Sequence, residues 1–548
     1  MKRNLEEFTK NTYDLLVIGG GIYGACVAWE ASLRGLTVAL VEKGDFGGAT
    51  SANSLKIIHG GLRYLQHADF KRMRESIRER SILMRIAPHL IHPLPILMPT
   101  YGHGLKGKEA LTVALAINDL VSWDRNHNQD PHKYIPRGQV ISPEKCQEIA
   151  PGIATEGLTG AAVFYDAQVY NSERLTLAFI RSAAQAGATV ANYVKVSGFL
   201  RSDNRIQGAQ VEDTLTGDKF EIRAQTVVNT SGPWLNQVLG LLPNHQPQQR
   251  FAKAMNLVLR RPLFDTYAVA LNSSFSYTDP DAVIHKGSRM LFVAPWRGRS
   301  MIGTAYSVCP QDPDNWQVTE AEITDLLTQI NQAYPSAKLV KEDVAFVHGG
   351  LLPQSGVSST GEPILNKHYC LRDHSTEDHL GLFSVTGVKY TTARDVAQKV
   401  VDNLFKFWGH TAPPSRSATV PLHGGKISKM SNFLQQAIDQ RSPSLDVKTI
   451  ESLVYNYGCA YQEILEGTEV NAKQIIQAQV RYAVREEMAQ KLSDVIFRRS
   501  ELGSAGDPGS ETRRICAAVM AQELGWSQSR TQQELQLNLT TSKPLVQI

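Results

Sequence analysis

Gly19, Gly21 and Gly24, spaced as Gly-x-Gly-x-x-Gly, are residues whose type and spacing dictate a chemistry, namely contact with a pyrophosphate. Gly19 permits a tight turn, Gly21 lets backbone N–H groups approach an anion, and Gly24 lets the next helix pack closely on the preceding strand. Glu42, 23 positions after Gly19, is placed to accept hydrogen bonds from ribose hydroxyls, so the ligand implied is a dinucleotide. His59 precedes Gly60 and Gly61, with Arg63 and Tyr64 just behind. An imidazole suits proton transfer near neutral pH, and a guanidinium suits an anion or a developing alkoxide. A histidine before two glycines also serves as a packing residue, and an edge arginine also forms plain salt bridges, so these residues alone leave both readings open. Lys389 lies in the turn Gly387-Val388-Lys389-Tyr390-Thr391-Thr392 at a helix start, a second place where N–H groups favour an anion.

Such residues need elements to carry them. The apolar run Leu15–Ile18 before the glycines and Val38–Val41 after them predict strands flanking a helix, a βαβ unit over about the first 45 residues. Asp69–Ile86 has helical periodicity, with basic residues around an apolar face, and 108–123 is a second helix candidate. A strand is expected at Gly160–Tyr165, a helix at Ser172–Ala186 closed by Gly187, and strands at Val190–Val196, Gln207–Val211 and Phe220–Ile222. Thr226–Trp234 and Leu382–Val385, each running into a small-residue turn, predict two returns to the first sheet. Met290–Trp296 and Ser300–Thr304, separated by Arg297-Gly298-Arg299, predict a hairpin in a second, antiparallel domain between about 250 and 360. A nucleotide sheet interrupted in this way favours FAD over a nicotinamide cofactor.

At 548 residues the chain is expected to form several domains. Hydrophobic residues make up 42% and charged residues 20%, with a net charge of +4, a balance that suits an anionic small molecule or an anionic membrane surface and excludes nucleic acid as a partner. The six cysteines form no CxxC pair, so neither a metal site nor a disulfide framework is predicted. Met1–Lys10 has no apolar leader character, and no stretch of 18 apolar residues occurs. A cytoplasmic location follows as the expectation, with peripheral contact at the inner face of the cell membrane left open through the basic stretch Lys71–Arg85.

The chain closely resembles the FAD-dependent glycerol-3-phosphate dehydrogenase family over nearly its whole length. The resemblance is carried by Asp14–Ile18 with its glycines, by Thr50-Ser51 and Lys56–Leu65 (KIIHGGLRYL), by Ile86–Leu90, and by Tyr482–Ala489 (YAVREEMA). It implies a p-hydroxybenzoate-hydroxylase-like, discontinuous Rossmann-like α/β FAD domain, a β-rich substrate cap and a C-terminal helical domain. The expected boundaries are 1–90, 156–250 and 361–410 for the FAD domain, 91–155 for a helical and loop insertion of the cap, 251–360 for the antiparallel substrate domain and 420–548 for the helical domain. The implied cofactor contacts are Gly19, Gly21, Gly24, Glu42, Lys43, Thr50, Ser51, Lys56, His59, Gly60, Gly61, Val194, Gly232, Gly387, Lys389 and Thr391. His59 is the implied base beside the flavin, with Arg63, Tyr64 and Lys389 completing the catalytic set. Arg63, Tyr64, Lys253, Asn256 and Lys367 are the implied substrate contacts.

Several positions depart from the family pattern. The arginine expected before Pro353 is Leu352, a second is Lys367, a histidine is Asn256, and an aspartate is missing from Gly303-Thr304-Ala305-Tyr306. Leucine offers neither the charge nor the fork geometry that recognises phosphate. Arg250, Lys253, Arg289, Arg297 and Lys367 are candidates to supply the missing charge. The leading expectation is oxidation of sn-glycerol 3-phosphate to dihydroxyacetone phosphate with electrons passed to quinone. Oxygen as acceptor, another hydroxyl- or amine-bearing substrate, a flavin protein without turnover, and assembly as a homodimer are left open.

Overall fold

The run Thr12–Ile18 becomes an inner strand with parallel neighbours on both sides in the computed structural model, because Leu15–Ile18 is wholly apolar and buried. Its neighbours are Val38–Val41 on one side and Lys219–Asn229 on the other. Leu382–Thr386 extends the sheet in parallel beyond Lys219–Asn229, and Thr189–Ala191 beyond Val38–Val41. Helices Ile22–Leu33, Ser172–Gln185 and Ala393–Phe407 pack with it into one buried cluster that includes Val17, Leu40, Trp29 and Phe179. The structure describes all residues except 105–106, 128–129, 244, 246–247, 279–285, 310–311, 360, 467–470 and 542–548, with the side chains of 273–278, 286–289 and 537–541 also outside the described set.

A ten-stranded second sheet faces the first domain. Within it Arg250–Leu259 runs between Arg299–Val308 and Val344–Val357, and Glu320–Ala333 covers one side. Ile91–Tyr101 and Leu158–Val169 pair along nearly their full length in this sheet, with Ile57–Ile58 at its margin. Residues 91–101 are therefore strand rather than the helix and loop expected of the 91–155 insertion, and 158–169 belongs to the substrate sheet rather than to the 156–250 part of the FAD domain. The proline-rich composition of 91–101 concealed the strand, since alternate prolines forgo only the N–H groups that face away from a partner.

Two smaller corrections concern the first sheet. The stretch expected as one strand at Val190–Val196 divides into Thr189–Ala191 and Val194–Ser202, because Tyr193 takes a left-handed φ of 58°. The strands expected separately at Phe220–Ile222 and Thr226 onward are one, Lys219–Asn229. Among the described residues, 430 to 541 form only helices and their connections, around two apolar clusters of their own.

The helix Phe70–Ile86 forms as its periodicity predicts, capped by the Asp69 side chain on the Arg72 amide. Most of its basic residues have partners within the fold. Arg74 pairs with Asp124, Arg78 with Asp395 and Arg80 with Asp166, while Arg85 donates to the Ala418 carbonyl. Carboxylates of the fold thus neutralise three of these charges, and Lys71 stays exposed. No described helix is long and apolar enough to cross a membrane.

Candidate active site

The first strand delivers the chain into a turn that has no room for side chains. Gly19 has φ +105°, and a Cβ there would lie 2.8 Å from the Thr230 carbonyl oxygen. A Cβ on Gly24 would lie 1.9 Å from the Gly19 carbonyl oxygen, so this glycine serves close packing of helix on strand. Gly21 is the N-cap of Ile22–Leu33 and makes no side-chain cap. The helix start, with Gly19, Gly21, Ile22 and Tyr23, lines a continuous cavity of about 2480 Å³ between the two sheets. Thr50, Ser51, Val194, Gly232 and Gly387 line it as well. Glu42 does too, tied by its carboxylate to the amides of Gly20 (2.7 Å) and Gly44 (2.9 Å). Lys43 pairs with Asp314 at 3.0 Å and lies 3.9 Å over the Trp234 ring. A glycine-rich turn, an amide-rich helix start and a half-buried acid at the end of the second strand fit the pyrophosphate and ribose of FAD.

At the other end of the cavity, His59 is held at two points. Its backbone N–H donates to Thr391 Oγ1 at 3.2 Å, and its Nδ1 lies 3.5 Å from Asp166 Oδ2. Asp166 is buried and also accepts from Arg80 at 3.0 Å and from the Gly60 amide. Burial pushes the Asp166 carboxyl up, but His59, Arg80 and the Gly60 amide together hold it below the usual carboxylate range. It is thus ionised at neutral pH. A carboxylate on Nδ1 fixes the imidazole and leaves Nε2 as the nitrogen for chemistry.

Beyond His59, the Tyr64 ring contacts two cations, with Lys389 Nζ 4.0 Å and the Arg72 guanidinium 4.5 Å from its centroid. Arg63, Arg72, Lys367, His368 and Lys389 all line the cavity here. Burial first, and then repulsion from Arg72 and Arg63, lowers Lys389 from the ordinary lysine value to about 7. The Lys389 loop is itself fixed by Tyr23, whose hydroxyl donates to the Lys389 carbonyl at 2.7 Å and accepts the Val388 and Lys389 amides at 3.1 Å. A Cβ on Gly387 would fall 2.0 Å from the Tyr23 ring, which is why this position has none.

Several expected contacts stand elsewhere. Lys56 is fully buried and gives its ammonium to Ala52 O, Ser172 Oγ and both Glu173 oxygens at 2.7–2.9 Å, so it anchors a loop and does not line the cavity. Gly60 does not line it either; a Cβ there would meet Arg80 and Asp166, so its lack of side chain serves the Asp166 contact. Lys253 points to the opposite face of its strand, paired with Glu322 at 2.6 Å. Arg250 and Arg297 do not line the cavity, Arg297 instead stacking on Tyr170 and Trp296. The Arg289 side chain lies outside the described residues. Asn256 lines the cavity and is satisfied by Asn53 O (3.1 Å) and Thr304 Oγ1 (2.8 Å). Leu352 lines it with no charge to offer.

Asp166, Arg80 and Tyr23 are the residues that sequence reasoning missed. Asp166 had one signal, a carboxylate inside the apolar stretch Ala161–Val169. Tyr23 had none, since its partners lie about 366 positions away.

A family model described as FAD dependent oxidoreductase matches residues 14–393, and one described as the C-terminal domain of alpha-glycerophosphate oxidase matches 415–531. A glycerol-3-phosphate dehydrogenase of Synechocystis sp. is 32% identical to this chain over 97% of both. A mitochondrial glycerol-3-phosphate dehydrogenase of Mus musculus is 30% identical, covering 96% of this chain and 73% of its own. The X-ray structure of a glycerol-3-phosphate dehydrogenase from Bacillus halodurans complexed with FAD matches with a TM-score of 0.76 at 24% identity, covering 99% of this chain and 98% of that one, and supports the fold. Glycine turn, two-sheet architecture and helical tail therefore agree with both family models, and the chain belongs to the FAD-dependent oxidoreductase (DAO) family as an enzyme that carries the C-terminal domain of the alpha-glycerophosphate oxidases.

Proposed function

We propose that the enzyme oxidises the secondary hydroxyl of sn-glycerol 3-phosphate to the ketone of dihydroxyacetone phosphate. Bound FAD supplies the acceptor for the hydride that leaves carbon. His59 Nε2 takes the hydroxyl proton, with Asp166 as the positioning residue that holds the ring and stabilises its charged form. Arg63, Lys367 and Lys389 hold the phosphate, and Tyr64 keeps Lys389 in place. The observation that carries this reading is the convergence, on one cavity, of an acid-backed histidine and three cationic side chains from separate parts of the chain. The relatives named above act in the same sense. Anaerobic mixing tests it: glycerol 3-phosphate is expected to bleach the flavin, glycerol much more slowly. Equal bleaching by the two would remove phosphate recognition from the proposal.

Leu352 favours one second reading, the same chemistry on a different hydroxyl- or amine-bearing metabolite, because the side chain facing the cavity at that position cannot fork to a phosphate. Bleaching by such a compound, and none by glycerol 3-phosphate, would select it.

Lys389 gives the binding step a pH dependence. Its ammonium, set to about 7 by burial, loses its charge as pH rises through that value, so one cation leaves the phosphate site. KM for glycerol 3-phosphate is expected to rise about tenfold between pH 6.5 and 8.5. In Lys389→Arg, which stays charged, that rise should vanish; a persisting rise assigns the dependence to another group.

The electrons then pass to a quinone, at the inner face of the cell membrane. Support comes from the helix Lys108–Val121. Ala110, Leu111 and Ala114 on one side of it line the cavity with Ile96, Met98 and Phe292, an apolar lobe suited to a quinone ring. On its other side Val113 is 60% and Leu120 74% exposed, followed by Trp123 at 78%, an apolar stripe open to solvent. Leu120→Glu with Trp123→Glu is expected to lower co-sedimentation with vesicles of mixed neutral and anionic lipid and to slow quinone reduction, leaving flavin bleaching by substrate unchanged. Unaltered co-sedimentation would rule this helix out as the contact.

A further inference from the structure

The YAVREEMA helix and the turn beyond it have no part in the chemistry above, yet they reach the wall of the cofactor cavity. Helix Ala472–Glu487 ends at Met488, and the chain returns through the π-helical turn Val495–Arg499. Arg499 donates both terminal nitrogens to the Asp45 carboxylate at 2.8 and 2.7 Å, and Arg498 donates Nε to the same carboxylate at 2.6 Å. Asn192 adds a fourth bond at 3.0 Å. The far end of Arg498 is fixed on Asp494 at 2.5 Å, and the Glu487 carbonyl accepts from Arg499. Asp45, Asp494, Glu487 and Arg499 are buried, and Arg498 lines the cavity beside Gly48.

Asp45 belongs to the segment Glu42–Ser51, most of which lines the cofactor cavity. Phe46 anchors the middle of that segment in the core and Thr50 exchanges hydrogen bonds with the Leu351 backbone, while Gly44, Gly47, Gly48, Ala49 and Ser51 add little apolar surface of their own. Buried charge adds to these contacts on both sides, Asp45 within the segment and Lys56, bonded to Ser172 and Glu173, just beyond it. Only the first anchor is supplied by the C-terminal domain. The second depends on helix Ser172–Gln185, which the same domain clamps where Glu487 pairs with Arg174 at 2.7 Å and Arg181 at 3.2 Å.

We propose that Arg498 and Arg499 are positioning residues for the cofactor: through Asp45 the C-terminal domain holds Glu42–Ser51 against bound FAD and slows its release. Removing one partner of a buried ion pair leaves the other uncompensated, so the segment loses its fixed position. Coupling is reciprocal, so bound FAD equally stiffens the C-terminal turn.

The test uses the full-length holoprotein. Asp45→Asn and Arg498→Lys are each expected to release FAD about tenfold faster, read as recovery of free-flavin fluorescence after dilution. The thermal midpoint of the apoprotein should fall by only a few degrees. Unchanged release in a folded variant, or faster release that only follows an equal loss of apoprotein stability, overturns the proposal. If a variant does not fold, wild-type protein gives the answer by hydrogen exchange. Adding FAD to the apoprotein should slow exchange at Leu492–Ser500, and unaltered exchange there overturns it. These readouts need no substrate, so their failure would leave the proposed oxidation standing.

Discussion

His59→Asn is expected to slow flavin reduction by glycerol 3-phosphate about 10²-fold or more, with FAD content and visible spectrum unchanged. Asparagine keeps a polar group of similar reach but cannot take a proton, so the loss isolates base chemistry from packing. The backbone bond from His59 to Thr391 survives the change, which keeps the loop in place. Asp166→Asn should cost less in rate, because the imidazole remains, and more in stability, because buried Arg80 loses its counter-charge. Stopped-flow bleaching under anaerobic conditions measures both. Wild-type kinetics in His59→Asn would take the proton-acceptor role away from His59.

Glu487→Ala is the second large effect, and it acts on folding. Glu487 is fully buried and its carboxylate faces Arg174 and Arg181. Alanine leaves two buried guanidinium groups without it, at a cost of about 3–5 kcal/mol, a large share of the roughly 5–15 kcal/mol that stabilises a typical domain. The midpoint of urea unfolding should fall accordingly. The pH dependence has a definite sign. Burial pushes the Glu487 carboxyl up, but Arg174 and Arg181 bring it below the ordinary glutamate value. Its contribution is therefore present above the unfolded value of about 4.3 and is lost as pH falls through the lower folded value. Wild type should lose stability across that acid window more steeply than the variant. A midpoint within error of wild type would show that these arginines find other partners.

The parts of the fold legible in the sequence were those with local causes. The Gly19–Gly24 turn, the helices Phe70–Ile86 and Ser172–Gln185 and the Arg299–Val308 hairpin each follow from periodicity or turn chemistry within a few residues. The strand at 91–101 was concealed by its prolines, and the division at Tyr193 depends on a left-handed backbone that no local residue demands. For the site, types were legible and directions were not. Lys253 and Asn256 differ by three positions, so a regular strand sends them to opposite faces, and only Asn256 faces the cavity. Lys56 is expected at the cofactor and Arg80 on a basic helix face, yet each is paired with an acid more than 80 positions away, Glu173 and Asp166. Spacing alone cannot reveal such partners.

The Asp45 anchor has a consequence for biosynthesis. Asp45 leaves the ribosome early, but the guanidinium groups that neutralise it follow 453 and 454 positions later. Until then the Asp45 carboxylate lacks its guanidinium partners. On the proposal above, flavin bound before Arg498 and Arg499 have emerged is expected to leave faster than flavin bound afterwards.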